Sequence, residues 1–350
     1  MTPTLTPAVL SGLAAGAAAA DEAEDWPAGA WDLLRGAWVL RWAVPPESGG
    51  DGLSPADQLA GHERLAAACL TTAFILSQRE AAVRLIARYA PPPARHALLS
   101  AQAAGGGYVT VGISQLTTSR QHRPPALVAT PAGAGFRLDG QMPWVTGADR
   151  AEFVVTAAAL PDGRQVLLRL PPDTPGVTVG PPLALVALRG SRTAAVRCDG
   201  VPVGPEFVVA GPAEGLLGPG SGGGPETSAL ALGLAAAAVD YLHAETVARP
   251  FLAPPTGRLA AGLAAARTEL HRLAAGPPDP PAAAAARVRC TRLALRATQA
   301  ALTAAKGAGF VTPHPTGRWA RQALFFLVWS CPPATAESLL DDLTADLPAP

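Results

Sequence analysis

Over the first hundred residues the apolar positions recur every three or four, as in Leu59, Leu65, Cys69 and Phe74–Leu76, then Val83, Leu85 and Ile86. That spacing predicts amphipathic helices from Thr6 to about Leu99, one of them ended by Pro91–Pro93. From Gly107 to about Ala210 the pattern changes. Short β-branched runs such as Tyr108–Ile113, Phe153–Ala157 and Val166–Leu170 are bounded by the turn pairs Asp139-Gly140 and Asp162-Gly163, which predicts a compact β domain built of hairpins. Gly211–Pro225 is rich in glycine and proline and reads as a loop. Helical spacing then returns in Glu226–Ala248, Arg258–Ala275, Ala282–Ala305 and Thr316–Trp329, interrupted by Pro277, Pro278, Pro280 and Pro281. The order is helices, strands, helices, an α+β chain with boundaries expected at 1–105, 106–212 and 213–350. No repeat of solenoid period is present.

Composition narrows the partners. Twenty-seven basic groups balance 27 acidic ones, so no net field draws the chain to a nucleic acid or an anionic membrane. The longest apolar run, Ala229–Val239, stops at Asp240, well short of the ~20 residues a membrane span requires, and reads as a buried helix. Leu13–Ala20 has the look of a signal-peptide core, but no positive charge precedes it and Asp21, Glu22, Glu24 and Asp25 follow. A cytoplasmic location is therefore expected. Cys69, Cys198, Cys290 and Cys331 are far apart with no C-x-x-C pair, and the six histidines lack metal-ligand spacing, so reduced thiols and no metal are expected.

Several segments, taken in order, resemble a known family. Pro46-Glu47-Ser48-Gly49-Gly50-Asp51-Gly52 is similar to the Pro-Glu-x-x-Gly-Gly-x-Gly loop of acyl-CoA dehydrogenases, and Gly135–Ala148 to their Gly-x-x-Leu-Asn-Gly-x-Lys-x-Trp-Ile-Thr-Asn-Ala segment. Leu188-Arg189-Gly190-Ser191, Asp199-Gly200-Val201-Pro202-Val203, Lys306-Gly307-Ala308-Gly309-Phe310 and Arg318-Trp319-Ala320-Arg321 follow collinearly. The resemblance implies an N-terminal all-helical domain, a β-barrel-like middle domain and a C-terminal four-helix bundle, with FAD between them. It also implies that Trp144 and Thr146 meet the flavin ring, and that Ser114 keeps a hydroxyl able to bond it. An indole plane shields such a ring from water and a small hydroxyl tunes it. Trp144 as an ordinary core residue of a hairpin is the alternative. Arg249 stands where the family has an arginine that reaches the cofactor diphosphate from a neighbouring subunit, and Phe251 where an aromatic follows it. A solvated arginine at a helix end is equally compatible. Gly307 and Gly309 would let the backbone approach the adenosine half, although a plain helix-to-loop turn needs the same residues. Homodimers or homotetramers are implied.

The departures bear on chemistry. The family's Thr-Glu-Pro-x-x-Gly-Ser-Asp stretch corresponds to Ser114-Gln115-Leu116-Thr117-Thr118-Ser119-Arg120-Gln121, without its acid or glycine. The usual catalytic glutamate position falls on Ser330, and serine cannot abstract a proton α to a thioester. The neighbouring Cys331 could serve only as a thiolate. Some members carry the glutamate on an earlier helix, seven residues before a glycine. Glu226 is seven before Gly233 here, on one face two turns away, with Gly233 expected to allow the packing that brings it to the flavin. An acid in a helix's first turn also favours the dipole without any catalytic role. The first reading is therefore FAD-dependent α,β-desaturation of an acyl thioester, with Glu226 as base and an electron acceptor left open. The alternatives are a flavin-dependent monooxygenase on the same fold, which needs no such base, and a non-catalytic member that binds an acyl-CoA or a partner.

Overall fold

The computed structural model describes residues 5–117, 126–217 and 224–345. Its first third is helical: α1 (Pro7–Ala15), α2 (Ala17–Glu22), α3 (Ala28–Gly36), α4 (Pro55–Ala68), α5 (Leu70–Tyr89) and α6 (Pro92–Ala103). Thr6 and Ser54 cap α1 and α4 by accepting from backbone N–H groups of the first turn. Proline at the first positions of α1, α4 and α6 removes only N–H groups that have no helical partner. Between α3 and α4, the loop of Pro46–Gly52 turns tightly. A side chain at Gly50 would lie 1.6 Å from the Val44 carbonyl oxygen, so only glycine fits there.

The middle third holds β1 (Val109–Gly112), a one-turn helix α7 (Ser114–Thr117), then β2 (Leu127–Ala132), β3 (Gly135–Val145), β4 (Phe153–Ala159), β5 (Gln165–Leu170), β6 (Val177–Pro182), β7 (Ala194–Val203) and β8 (Val208–Ala213). They form one eight-stranded sheet in the order β6-β7-β3-β2-β4-β5-β8, with β1 parallel to β4. Inward residues such as Leu138, Met142, Val154, Leu168 and Val196 make its core. The other face of the sheet, through Val109, Val155 and Leu167, packs with Val83, Ile86 and Leu99 of α5 and α6.

The chain then runs through α8 (Pro225–Glu245), α9 (Ala253–Ala275), α10 (Pro280–Ala305), α11 (Pro315–Leu324) and α12 (Pro333–Thr344). By length and composition α8 could cross a membrane, but 67% of its apolar window is buried in the protein. It packs on α4, α9 and α10 as a core helix.

Several sequence expectations need adjusting. The segment expected to be a loop from Gly211 begins with the end of β8. The helix expected from Arg258 starts at Ala253, because Pro254 and Pro255 are tolerated in a first turn. The helix expected to reach Trp329 ends at Leu324 in a 3₁₀ turn, and α12 was not expected at all. Of the Ser114–Gln121 stretch, Ser114–Thr117 is a helical turn rather than strand or loop, and Thr118, Ser119, Arg120 and Gln121 lie outside the described residues.

Candidate functional site

A cavity of about 870 Å³ opens where the sheet, α5, the start of α8 and the turn after α11 meet. One stripe of α5 lines it: Phe74, Ser77, Gln78, Ala81, Arg84, Leu85 and Arg88 recur at the three- and four-residue spacing that places side chains on a single helix face. The sheet and the turns at its strand ends contribute Val111, Trp144, Thr146 and Thr193, and α7 contributes Ser114. From the helical third come Glu226, Phe325, Val328, Trp329 and Ser330.

The exposure of Trp144 follows from the backbone. Met142 opposes Val196 and Val145 opposes Ala194, so β3 carries one extra residue and bulges. Met142 and Val145 both turn inward, and Trp144 is left 48% exposed on the cavity wall. It is not a core residue of a hairpin. Thr146 is buried, its hydroxyl 3.1 Å from that of Thr193, which lies 2.9 Å from Ser191 Oγ. The next residue, Gly147, has φ +58, and a Cβ there would run 2.7 Å from the Trp26 ring. Ser114 lines the cavity, and its Oγ is buried without a hydrogen-bond partner among the described residues.

Glu226 stands in the first turn of α8 and is the single carboxylate among the described residues that line the cavity. Its Oε1 lies 2.9 Å from Arg84 Nη1. The helix-entrance reading and the cavity reading therefore describe the same side chain. Gly233 allows the close packing its place in the helix suggested: a Cβ there would run into the Glu63 carbonyl oxygen, so this glycine seats α8, with Glu226 at its start, directly on α4.

Ser330 lines the same cavity, so the position that aligns with the usual catalytic glutamate presents a hydroxyl there instead of a carboxylate. Cys331 is not part of that wall, and burial pushes its thiol pKa up despite Arg287, so it is no thiolate base at neutral pH. Arg249, Phe251, Gly307 and Gly309 form a separate group at the other end of α8, about 30 Å along the helix axis by its rise per residue. Arg249 is engaged by Glu245 and the Ala304 carbonyl, Phe251 is exposed, and Gly307 has open space around it. Gly309 is needed locally, since a Cβ would meet Thr316 Oγ1 at 2.5 Å. None of the four lines the cavity.

Sequence reasoning missed Arg84, Thr193 and the aromatic floor. Phe325 and Trp329 stack with centroids 5.0 Å apart, and Phe74 meets both edge-on. The α5 stripe was legible as a helix face, but nothing in one sequence says that this face meets a cavity instead of core. Arg287, buried in α10, donates to the Phe326 and Trp329 carbonyls and so ties down the aromatic turn, while burial pushes its pKa down to about 10.

The family model described as acyl-CoA dehydrogenase, N-terminal domain, matches residues 9–106. The chain is 25% identical over 232 residues to the protein named Probable acyl-CoA dehydrogenase YngJ of Bacillus subtilis (strain 168), a match spanning 63% of this chain and 60% of that protein. It is 25% identical over 344 residues, 91% of this chain and 88% of the other, to 3-sulfinopropanoyl-CoA desulfinase of Paraburkholderia xenovorans (strain LB400). In fold it is similar to butyryl-CoA dehydrogenase from Megasphaera elsdenii, with TM-score 0.83, 19% identity, and 99% and 100% of the two chains covered. It is similar also to dibenzothiophene monooxygenase (TdsC) from Paenibacillus sp. A11-2, with TM-score 0.79, 17% identity and 98% of each chain covered.

Proposed function

The chain belongs to the acyl-CoA dehydrogenase family, and from that premise we propose that it is a flavin-dependent oxidoreductase that desaturates an acyl thioester with Glu226 as its base. The observation that carries this reading is the meeting of Glu226, the lone carboxylate among the described residues of the cavity wall, with Ser114, Trp144 and Thr146 around one space. The residues fit a flavin ring. The cavity is of ligand size, Trp144 offers an uncovered aromatic face, and Ser114 Oγ is a buried hydroxyl with no partner among the described residues.

When bound, the flavin supplies a hydride acceptor for the substrate β-carbon. Glu226 takes the α proton at a carboxylate oxygen, so that the two losses leave a carbon–carbon double bond. Trp144 and the Phe74, Phe325 and Trp329 cluster exclude water from the reacting carbons. We read the cofactor as FAD, with Arg249 reaching the diphosphate of a neighbouring subunit's cofactor and Gly307 and Gly309 letting the backbone approach its adenosine half, in a homodimer or homotetramer.

The test is spectroscopic. Protein reconstituted with FAD turns yellow and is bleached anaerobically by an acyl-CoA of matching length. Glu226→Gln keeps the colour and slows bleaching by about 10²–10⁴-fold, the usual range for a lost general base. No bleaching by any chain length overturns desaturation. One observation favours a second reading, a monooxygenase: Ser330 faces the cavity where a carboxylate would be required for the usual base. Oxygen uptake by the reduced protein coupled to a hydroxylated product, and unchanged in Glu226→Gln, would establish it. A protein that takes up no flavin and turns nothing over would be the non-catalytic binder.

A further inference from the structure

Behind Glu226 a row of charged side chains leads from the cavity into the interior. Arg84 Nη1 is 2.9 Å from Glu226 Oε1, and its Nη2 is 3.1 Å from Glu80 Oε2. Glu80 Oε2 in turn is 2.9 Å from His62 Nε2. Glu80 and His62 are wholly buried, whereas Arg84 and Glu226 border the cavity. His62 Nδ1 lies 2.7 Å from the Gln58 carbonyl oxygen, and a carbonyl only accepts, so Nδ1 carries a hydrogen. Any change in His62 charge therefore takes place at Nε2, against Glu80. Gln58 Oε1 accepts from Arg84 Nη2 at 3.2 Å, which braces the guanidinium from α4 as well.

With His62 protonated the row alternates acid, base, acid, base and sums to zero. With His62 neutral it carries one net negative charge, and a single guanidinium must then serve two carboxylates. We propose that Arg84 is a positioning residue for Glu226, and that the buried His62–Glu80 pair sets how firmly Arg84 holds the cavity carboxylate. This rests on the reading of Glu226 as base for its consequence in turnover, but the electrostatic coupling itself does not.

The groups facing His62 are Glu80 and Arg84 from α5, Glu226 from α8 and the edge of Trp42. Burial works to lower the His62 pKa, and the Glu80 carboxylate outweighs it, so the net direction is upward. Glu226 raises it further and Arg84 lowers it. Opposite signs for two neighbours in one row make the proposal sharp, because a general loosening of the fold would move His62 the same way in both variants.

The experiment follows His62 by NMR of the ¹⁵N-histidine-labelled protein across pH, with the His62 signal assigned from His62→Gln. Glu226→Gln lowers the His62 midpoint by about half a pH unit or more, Arg84→Met raises it, and Arg84→Lys, which keeps the charge, returns it toward the parent value. In the flavin-loaded protein Arg84→Met slows acyl-CoA bleaching by about 10²-fold, as misplacement of a reacting group does, and Arg84→Lys recovers part of the loss. A His62 midpoint unmoved by both variants, or moved in the same direction by both, overturns the coupling whatever Glu226 does in catalysis. Opposite shifts together with a bleaching rate unaffected by Glu226→Gln support the coupling and overturn Glu226 as the base.

Discussion

Gly233→Ala tests the packing that holds the site together. The new methyl would lie 2.2 Å from the Glu63 carbonyl oxygen, 2.7 Å from Ala66 Cβ and 3.0 Å from Ala67 N. Two of these are backbone atoms of α4, so no side-chain rotation relieves the contact. Nor can α4 retreat freely, because Arg267 of α9 grips the Glu63 carboxylate with Nε 3.0 Å from each oxygen. Against this stands a gain of about 0.8–1.0 kcal/mol in helix propensity for Ala over Gly. Overpacking a filled interior costs about 1–3 kcal/mol and more where backbone must shift. The contact wins, and we expect net destabilisation of about 1–2 kcal/mol, with α8 displaced and the Glu226 end of the helix carried with it. Gly257→Ala is the control. It lies in α9 with nothing within 4 Å of its would-be Cβ, so only the propensity gain remains. Thermal unfolding followed by calorimetry should show the two substitutions shifting the melting temperature in opposite directions, by a few degrees each. Shifts of the same sign, or a Gly233→Ala protein more stable than the parent, would refute the reasoning.

Asp21 is wholly buried, and its Oδ1 accepts from Leu188 N and Gln322 Nε2, both at 2.8 Å, while Oδ2 lies 3.0 Å from Arg321 Nη2. Asp21→Ala strands these donors and should cost about 3 kcal/mol in denaturant unfolding, each buried unpaired group contributing about 1–3. A loss under half a kcal/mol would contradict it. The His62–Glu80 pair gives stability a pH signature. His62 is raised above 6.5, so its contribution is complete below that pH and lost as pH climbs through the folded value. Burial pushes Glu80 up but His62 and Arg84 prevail and hold it below 4.5, so its contribution is lost only as pH falls through the folded value. The stability gap between parent and His62→Gln should thus be widest between 4.5 and 6.5 and narrow only as pH climbs through the raised His62 value of the folded state, and a gap that widens with rising pH would be contrary. Ser330 faces the same cavity as Glu226, so Ser330→Glu introduced into Glu226→Gln should restore part of the acyl-CoA bleaching. No recovery would show that the two wall positions do not reach the same carbon.

Part of the cavity wall was legible in the sequence. The resemblance singled out Trp144, Thr146 and Ser114, and all three line one cavity, because residues on one strand end or one turn keep their relation however the chain folds. Counting along a helix, which has a fixed period, singled out Glu226, and it lines the same cavity. Gly233 does allow the close packing expected of it, but that the partner is α4 could not be read from the sequence, because which neighbour a helix face meets is not a local property. Arg84 carried no motif, and its meaning lies wholly in Glu80 and Glu226, residues 4 and 142 positions away along the chain.

The periodicities of the chain, taken alone, determined that helices precede and follow a set of hairpins, since a spacing of two or of three to four specifies what each segment can bury. Tertiary structure alone decided that an α5 stripe, a bulged strand and the first turn of α8 would enclose one space. It alone decided that a buried histidine would stand three charges behind the acid facing that space. Distances between segments remote in sequence are set by packing, and packing depends on all the surfaces at once.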